Sequence, residues 1–145
     1  MNRAECAVDC FARGFNCAQS VFSTYCEEFG LSSEKALKIS TAFGGGMGHI
    51  GETCGVVTGA FMAIGLKYGR TRTEDLEAKE KTYALVQEFT HKFKSIYGSV
   101  RCKDLIGCDL STDKGMETAI EKDLFNILCV NFVSDAVKIL EQLLY

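Results

Sequence analysis

The chain has 145 residues, 47% of them hydrophobic and 24% charged, with a formal net charge of −3. That is the length of one domain and the composition of an ordinary globular one, which excludes disordered, collagen-like and proline-rich classes. The acidic balance and the absence of any Lys/Arg cluster exclude a general nucleic-acid binder.

Hydrophobic spacing is helical nearly throughout and predicts an all-α, single-domain bundle of about six to seven helices over residues 1–145. The first segment, Arg3 to Phe11, puts Ala4, Ala7, Val8 and Phe11 on one face. The second starts after Asn16, a good N-cap, repeats apolar residues at Ala18, Val21, Phe22, Tyr25 and Phe29, and stops at Gly30. The third follows Ser32 and Ser33 and runs to Phe43, with Ala36, Ile39 and Phe43 inward. A glycine-rich loop, Gly44 to Gly51, separates it from the fourth, which starts after Thr53 and runs to Tyr68. There Gly55, Gly59 and Ala63 lie four apart, a stripe of small residues that lets another backbone approach closely. Thr71 and Glu74 read as a capping box for a long fifth segment. It ends at Tyr97 before Gly98, with Leu76, Tyr83, Val86, Phe93 and Tyr97 on one face. A short segment, Cys102 to Ile106, precedes Gly107. The last helix is predicted from about Lys122 to Leu144, with two adjacent apolar stripes. So wide an apolar surface belongs to a central helix or to a contact with a partner, and a homodimer is the expectation drawn from it.

The longest apolar stretch, Val56 to Leu66, is interrupted by Thr58, Gly59 and Gly65 and falls short of the ~20 residues of a membrane span. No membrane insertion is expected. The N-terminus shows no signal-peptide pattern, so a cytoplasmic location, where thiols stay reduced, is the expectation.

Eight cysteines stand against no proline, where ~5% usage is ordinary. In a reducing compartment cysteines are more often catalytic, redox-active or metal-bound than structural, although a free thiol also packs well as a small hydrophobe. Cys17, Cys54 and Cys102 each fall at a predicted helix start. The partial positive charge there favours a thiolate, which is both the nucleophile and the metal ligand. Cys129 lies on the apolar stripe of the last helix and can join them, so these four are the candidate catalytic and metal-ligating residues. Cys6 and Cys10 share a helix face, and Cys26 and Cys108 lack supporting context. No Cys-x-x-Cys is present, so the thioredoxin pattern is absent. His91 reads as a solvated helix residue. His49 sits in the glycine loop near Cys54 and reads first as a loop surface residue, with orienting or activating that thiol as the alternative.

Gly46-x-Gly48-x-x-Gly51 matches a dinucleotide fingerprint, but that pattern carries meaning only after a strand in a βαβ unit, which this sequence lacks. The loop reads instead as a positive-φ connection, or as one that turns backbone N–H groups toward a ligand. Gly45, Gly46, Met47, His49 and Gly55 are its candidate cofactor-binding residues.

Taken in order, Asn16-Cys17-Ala18-Gln19, Phe43-Gly44-Gly45-Gly46-Met47-Gly48, Cys54-Gly55-Val56-Val57-Thr58-Gly59, Tyr97-Gly98-Ser99, Cys102-Lys103-Asp104-Leu105-Ile106-Gly107 and Cys129 resemble the C_GCAxxG_C_C family. These are small bacterial or archaeal proteins with four cysteines in common and a redox description. The resemblance spans about residues 10 to 140. It implies Cys17, Cys54, Cys102 and Cys129 as the family cysteines, with Val56 where the family usually has Ala. A related region in split-Soret-type cytochromes is associated with an iron–sulfur centre, which implies such a cluster as a cofactor here; their haem attachment motif is absent. The expected function is redox activity or electron transfer with a redox partner that the sequence does not specify. Either the four cysteines ligate an iron–sulfur cluster or they form a dithiol/disulfide couple, and an oxidoreductase activity would follow from the latter. The alternatives are a zinc–thiolate site and a helical interaction module with inert cysteines.

Overall fold

Side-chain caps begin five of the helices in this computed structural model, which describes residues 1–145. Helix α1 (Arg3–Ala12) opens on a reciprocal box between Asn2 and Glu5, and α2 (Cys17–Cys26) on one between Asn16 and Gln19. In both, the Asn side chain accepts from the backbone N–H three residues on and the Glu or Gln side chain accepts from the Asn N–H. Helix α3 (Ser33–Thr41) is capped by Ser32 and α5 (Leu76–Tyr97) by Asp75. Helix α4 (Gly55–Tyr68) begins after Cys54, whose extended backbone supplies the cap without its side chain. Helices α6 (Cys102–Ile106), α7 (Asp113–Glu121, capped by Thr112) and α8 (Val130–Leu144) complete the chain. A π-helical turn, Phe125–Cys129, feeds α8.

The bundle is built on two axes. Helix α4 lies against α2, and the small-residue stripe explains how closely. A Cβ on Gly59 would sit 2.8 Å from the Ala18 carbonyl oxygen, so only glycine permits this approach. Helix α8 runs through the middle, contacting α1, α2, α4 and α5. Its Phe132, Val133, Ala136, Val137, Ile139, Leu140 and Leu144 are all buried. Its two apolar stripes are therefore covered within the chain, which removes the reason for expecting a homodimer from this helix. Phe89 and Phe93 of α5 stack on each other and meet Phe61 and Phe132 edge-on. No helix is long and apolar enough to cross a membrane.

Several local expectations are corrected. There are eight helices rather than six to seven, because residues 113–121 fold as α7 in a stretch that reads as polar. The predicted helix from Lys122 to Leu144 is broken at its start: Asp123 takes a left-handed φ of 55°, and the π turn follows. The capping box expected at Thr71 and Glu74 gives way to Asp75, one residue before α5. Thr53 does not cap α4 but pairs with Arg101 in an isolated antiparallel bridge. Ile39, Leu76 and Tyr83, expected inward, are exposed, while Ser40 and Phe89 are buried in their helices. In each case the helix is where the period places it, but its buried face is rotated by its neighbours.

Candidate functional site

Between α3 and α4 the chain makes a left-handed turn. Gly45, Gly46, Met47, Gly48 and His49 have φ values of 67°, 68°, 68°, 63° and 67° in succession. Residues with a Cβ disfavour this region by roughly 1–2 kcal/mol each, so three glycines in five positions make the run feasible. Neighbours fix it further: a Cβ on Gly44 would overlap the Asn16 side chain, and one on Gly46 would lie 2.7 Å from the Cys102 Cβ. The turn is thus pressed between the start of α2 and the start of α6.

A second device brings Cys54 and Cys102 to the same place. The Cys54 N–H donates to the Val100 carbonyl at 2.8 Å, and the Cys102 N–H donates to the Glu52 carbonyl at 2.6 Å. Arg101 and Lys103 pair with Glu52 across this bridge at 3.2 and 3.8 Å. Segments about fifty residues apart in sequence are stitched side by side, and their cysteines follow.

The result is a cavity of about 520 Å³ with Cys17, Cys54, Cys102 and Cys129 all in its wall. Cys54 and Cys102 are buried, whereas Cys17 and Cys129 keep some accessible surface. Gly44, Gly45, Gly46, Gly55 and Asn16 complete the thiol side. Phe11, Phe15, Phe125, Phe132, Leu105, Ile106 and Leu110 form the apolar side. Gly14, Thr41, Gly48, His49 and Asn126 are exposed and mark the mouth.

The four thiols differ in charge. The Cys54 thiol donates to the Cys17 sulfur, and the backbone N–H groups of Gly45, Ala18 and Cys17 point at that sulfur too. Together they outweigh burial and bring Cys17 down to about 7. The start of α2 and the glycine turn therefore jointly cradle a thiolate, as oriented N–H groups do for anions. The same bond, followed by burial, holds Cys54 well above the ordinary thiol range. Burial pushes Cys102 and Cys129 up to about 12, and the neighbouring Cys17 charge adds to both. The helix-start argument therefore identifies one thiolate rather than three. Cys54 stands just outside its helix as the proton-holding partner, and α6 has too few residues to offset the burial of Cys102.

Of the expected loop residues, Gly45, Gly46, His49 and Gly55 line the cavity and Met47 does not. The His49 ring lies over Gly45, which places it on the glycine whose N–H faces Cys17. His91 is exposed on α5, as expected. Cys26 is a core residue. Cys6 and Cys10 border a separate hollow of about 350 Å³ with Arg13 and Ser23. Cys108, which reads as contextless in sequence, lies close enough to influence Cys102 and Cys129. Phe125 and Asn126 carry no sequence signal for the site, because the π turn that aims them at the cavity is invisible to a helical period.

All eight cysteines are free thiols. An iron–sulfur cluster needs four thiolates around one centre. Here no three His, Cys, Asp or Glu side chains gather as an ion-holding group. The donor chemistry suits such a cluster, but the spacing of the residues does not fit it.

The all-helical fold and the thiolate–thiol pair in a cysteine-walled cavity define a class: an α-helical protein with a buried cysteine site. The family model "Putative redox-active protein (C_GCAxxG_C_C)" matches residues 15–143, and the chain belongs to this family. No curated protein and no solved structure gives a significant match to the chain.

Proposed function

We propose that the chain is a dithiol/disulfide redox protein in which Cys17 is the attacking thiolate and Cys54 the resolving thiol. The observation that carries this reading is the pairing of the two: Cys17 is lowered to about 7 while its hydrogen-bond partner Cys54 retains its proton. A thiol near pH 7 combines a large ionised fraction with retained nucleophilicity. The Cys17 thiolate attacks one sulfur of a substrate disulfide. The substrate S–S bond breaks, one substrate thiolate leaves, and a mixed disulfide forms on Cys17. The displaced charge no longer holds the Cys54 proton in place. Cys54 loses that proton to the departing thiolate and attacks the Cys17 sulfur. The second substrate thiolate leaves, and a Cys17–Cys54 disulfide remains. Two electrons have passed from the dithiol to the substrate. The sulfurs must close from hydrogen-bonding contact to about 2.05 Å for this bond.

Cys102 and Cys129 support the pair as neutral walls in this reading. Their high proton affinity keeps competing thiolates away from Cys17. The test is titration of fully reduced protein with one equivalent of a disulfide oxidant, followed by peptide mapping. The reading predicts Cys17–Cys54 as the first disulfide. A first disulfide that omits Cys17 contradicts it.

A further inference from the structure

The cavity lining specifies its own ligand more closely than the thiol pair does. It contains no Asp, Glu, Lys or Arg. Apart from the cysteines, His49 at the mouth is its only titratable side chain. Four phenylalanines, Phe11, Phe15, Phe125 and Phe132, face the sulfurs across it. Its volume of about 520 Å³ lies within the ~300–1,000 Å³ of small-molecule sites. Two of its polar side chains have much of their hydrogen-bonding capacity engaged: the Asn16 amide caps α2 and donates to the Thr41 carbonyl, and the Thr41 hydroxyl donates to the Leu37 carbonyl.

Resting on the dithiol reading, we infer that the substrate of this site is a small, uncharged, largely apolar organic disulfide rather than a charged peptide or protein disulfide. A carboxylate carried inside would lose hydration without gaining a cationic partner. It would also meet the Cys17 charge in a medium where like charges repel far more than in water. An aromatic or aliphatic group would instead displace water from phenylalanine rings and be stabilised by that burial. The electron balance is that of the dithiol step: the substrate S–S bond is reduced to one thiol and one thiolate, and Cys17–Cys54 is oxidised. A protein disulfide is further disfavoured because the attacking sulfur stands in the cavity wall and not on the outer surface.

The experiment compares two aromatic disulfides under single-turnover conditions with fully reduced protein. Dithiodipyridine is uncharged, and dithiobis(nitrobenzoate) carries two carboxylates. Rates at Cys17, assigned by peptide mapping, are divided by those of a free cysteine derivative to remove intrinsic reactivity. The inference predicts a normalised preference for the uncharged reagent of at least about tenfold, equivalent to ~1.4 kcal/mol. It also predicts that Asn126→Lys, which places a cation at the exposed mouth, raises the rate of the dianionic reagent relative to that of the uncharged one. A normalised ratio near one, with Cys17 still the first thiol to react, overturns the substrate inference and leaves the dithiol reading standing. Failure of Cys17 to react ahead of the other cysteines with either reagent contradicts the dithiol reading itself.

Discussion

The Cys17 sulfur occupies the space that a Cβ on Gly55 would take. The first residue of α2 and the first residue of α4 are thereby locked together, and glycine at 55 is the condition for Cys17 to stand beside Cys54. Gly55→Ala must push the sulfur out of its cradle. The expected result is a Cys17 titration moved upward from about 7, with a stability loss of about 1–3 kcal/mol from overpacking. A pH profile of Cys17 alkylation and a urea unfolding curve check the two effects separately. Retention of the wild-type titration would show that the cradle does not depend on this contact.

Cys54 is the largest single cause of the lowered Cys17 value. Cys54→Ala removes the donor and must raise Cys17, leaving the backbone N–H groups of Gly45, Ala18 and Cys17 to act alone. Cys54→Ser keeps an O–H donor and must raise it less. Thiolate absorbance followed from about pH 5 to pH 10, a range bracketing ordinary thiol behaviour, distinguishes the two variants. Equal shifts would argue that the site responds to lost packing rather than to a lost hydrogen bond.

Stability must depend on pH in a specific way. Cys17 titrates at about 7 in the fold against an ordinary 9.0, so its value is lowered on folding. The unfolded chain therefore holds more protons than the folded one between about pH 7 and 9. Stability due to this group must rise through that window, by at most about 1.4 kcal/mol per pH unit, and vanish as pH falls below 7. Above pH 9 the order reverses. The unfolded chain then ionises Cys54, Cys102 and Cys129, whose folded forms resist it. The difference between wild type and Cys17→Ser in urea unfolding of reduced protein isolates the rising part. Parallel pH curves for the two proteins would contradict the assignment.

Asn16 joins the fold to the site. Its side chain accepts from the Gln19 N–H and donates to the Thr41 carbonyl at 3.0 Å, and Gly44 is packed against it. Asn16→Ala must cost about 0.5–2 kcal/mol as a lost N-cap and loosen the glycine turn over Cys17. Thermal unfolding measures the first effect. A faster but less pH-dependent alkylation of Cys17 would report the second.

Much of this was legible in the sequence. The helical period located most of the bundle, the Asn16 cap located Cys17 at the start of α2, and the four-residue small stripe signalled a close backbone approach to α4 without naming α2 as the partner. Other features were not legible, for physical reasons. A helix dipole is a local argument, whereas the charge state of Cys102 is decided by burial that only the folded chain supplies. The pairing of Thr53 with Arg101 is a non-local backbone contact with no pattern in either segment. The left-handed φ at Asp123 and the π turn after it alter register within a run whose apolar spacing still reads as one helix. That register change is what brings Phe125 and Asn126 to the cavity.

The most direct measurement is site-resolved alkylation of fully reduced protein across pH, with each of the eight cysteines quantified by mass spectrometry. The account predicts that Cys17 reacts first and titrates with a midpoint near 7, while Cys54, Cys102 and Cys129 remain protected until well above it. A midpoint for Cys17 near the ordinary 9.0, or earlier modification of Cys54, Cys102 or Cys129, would contradict the central claim.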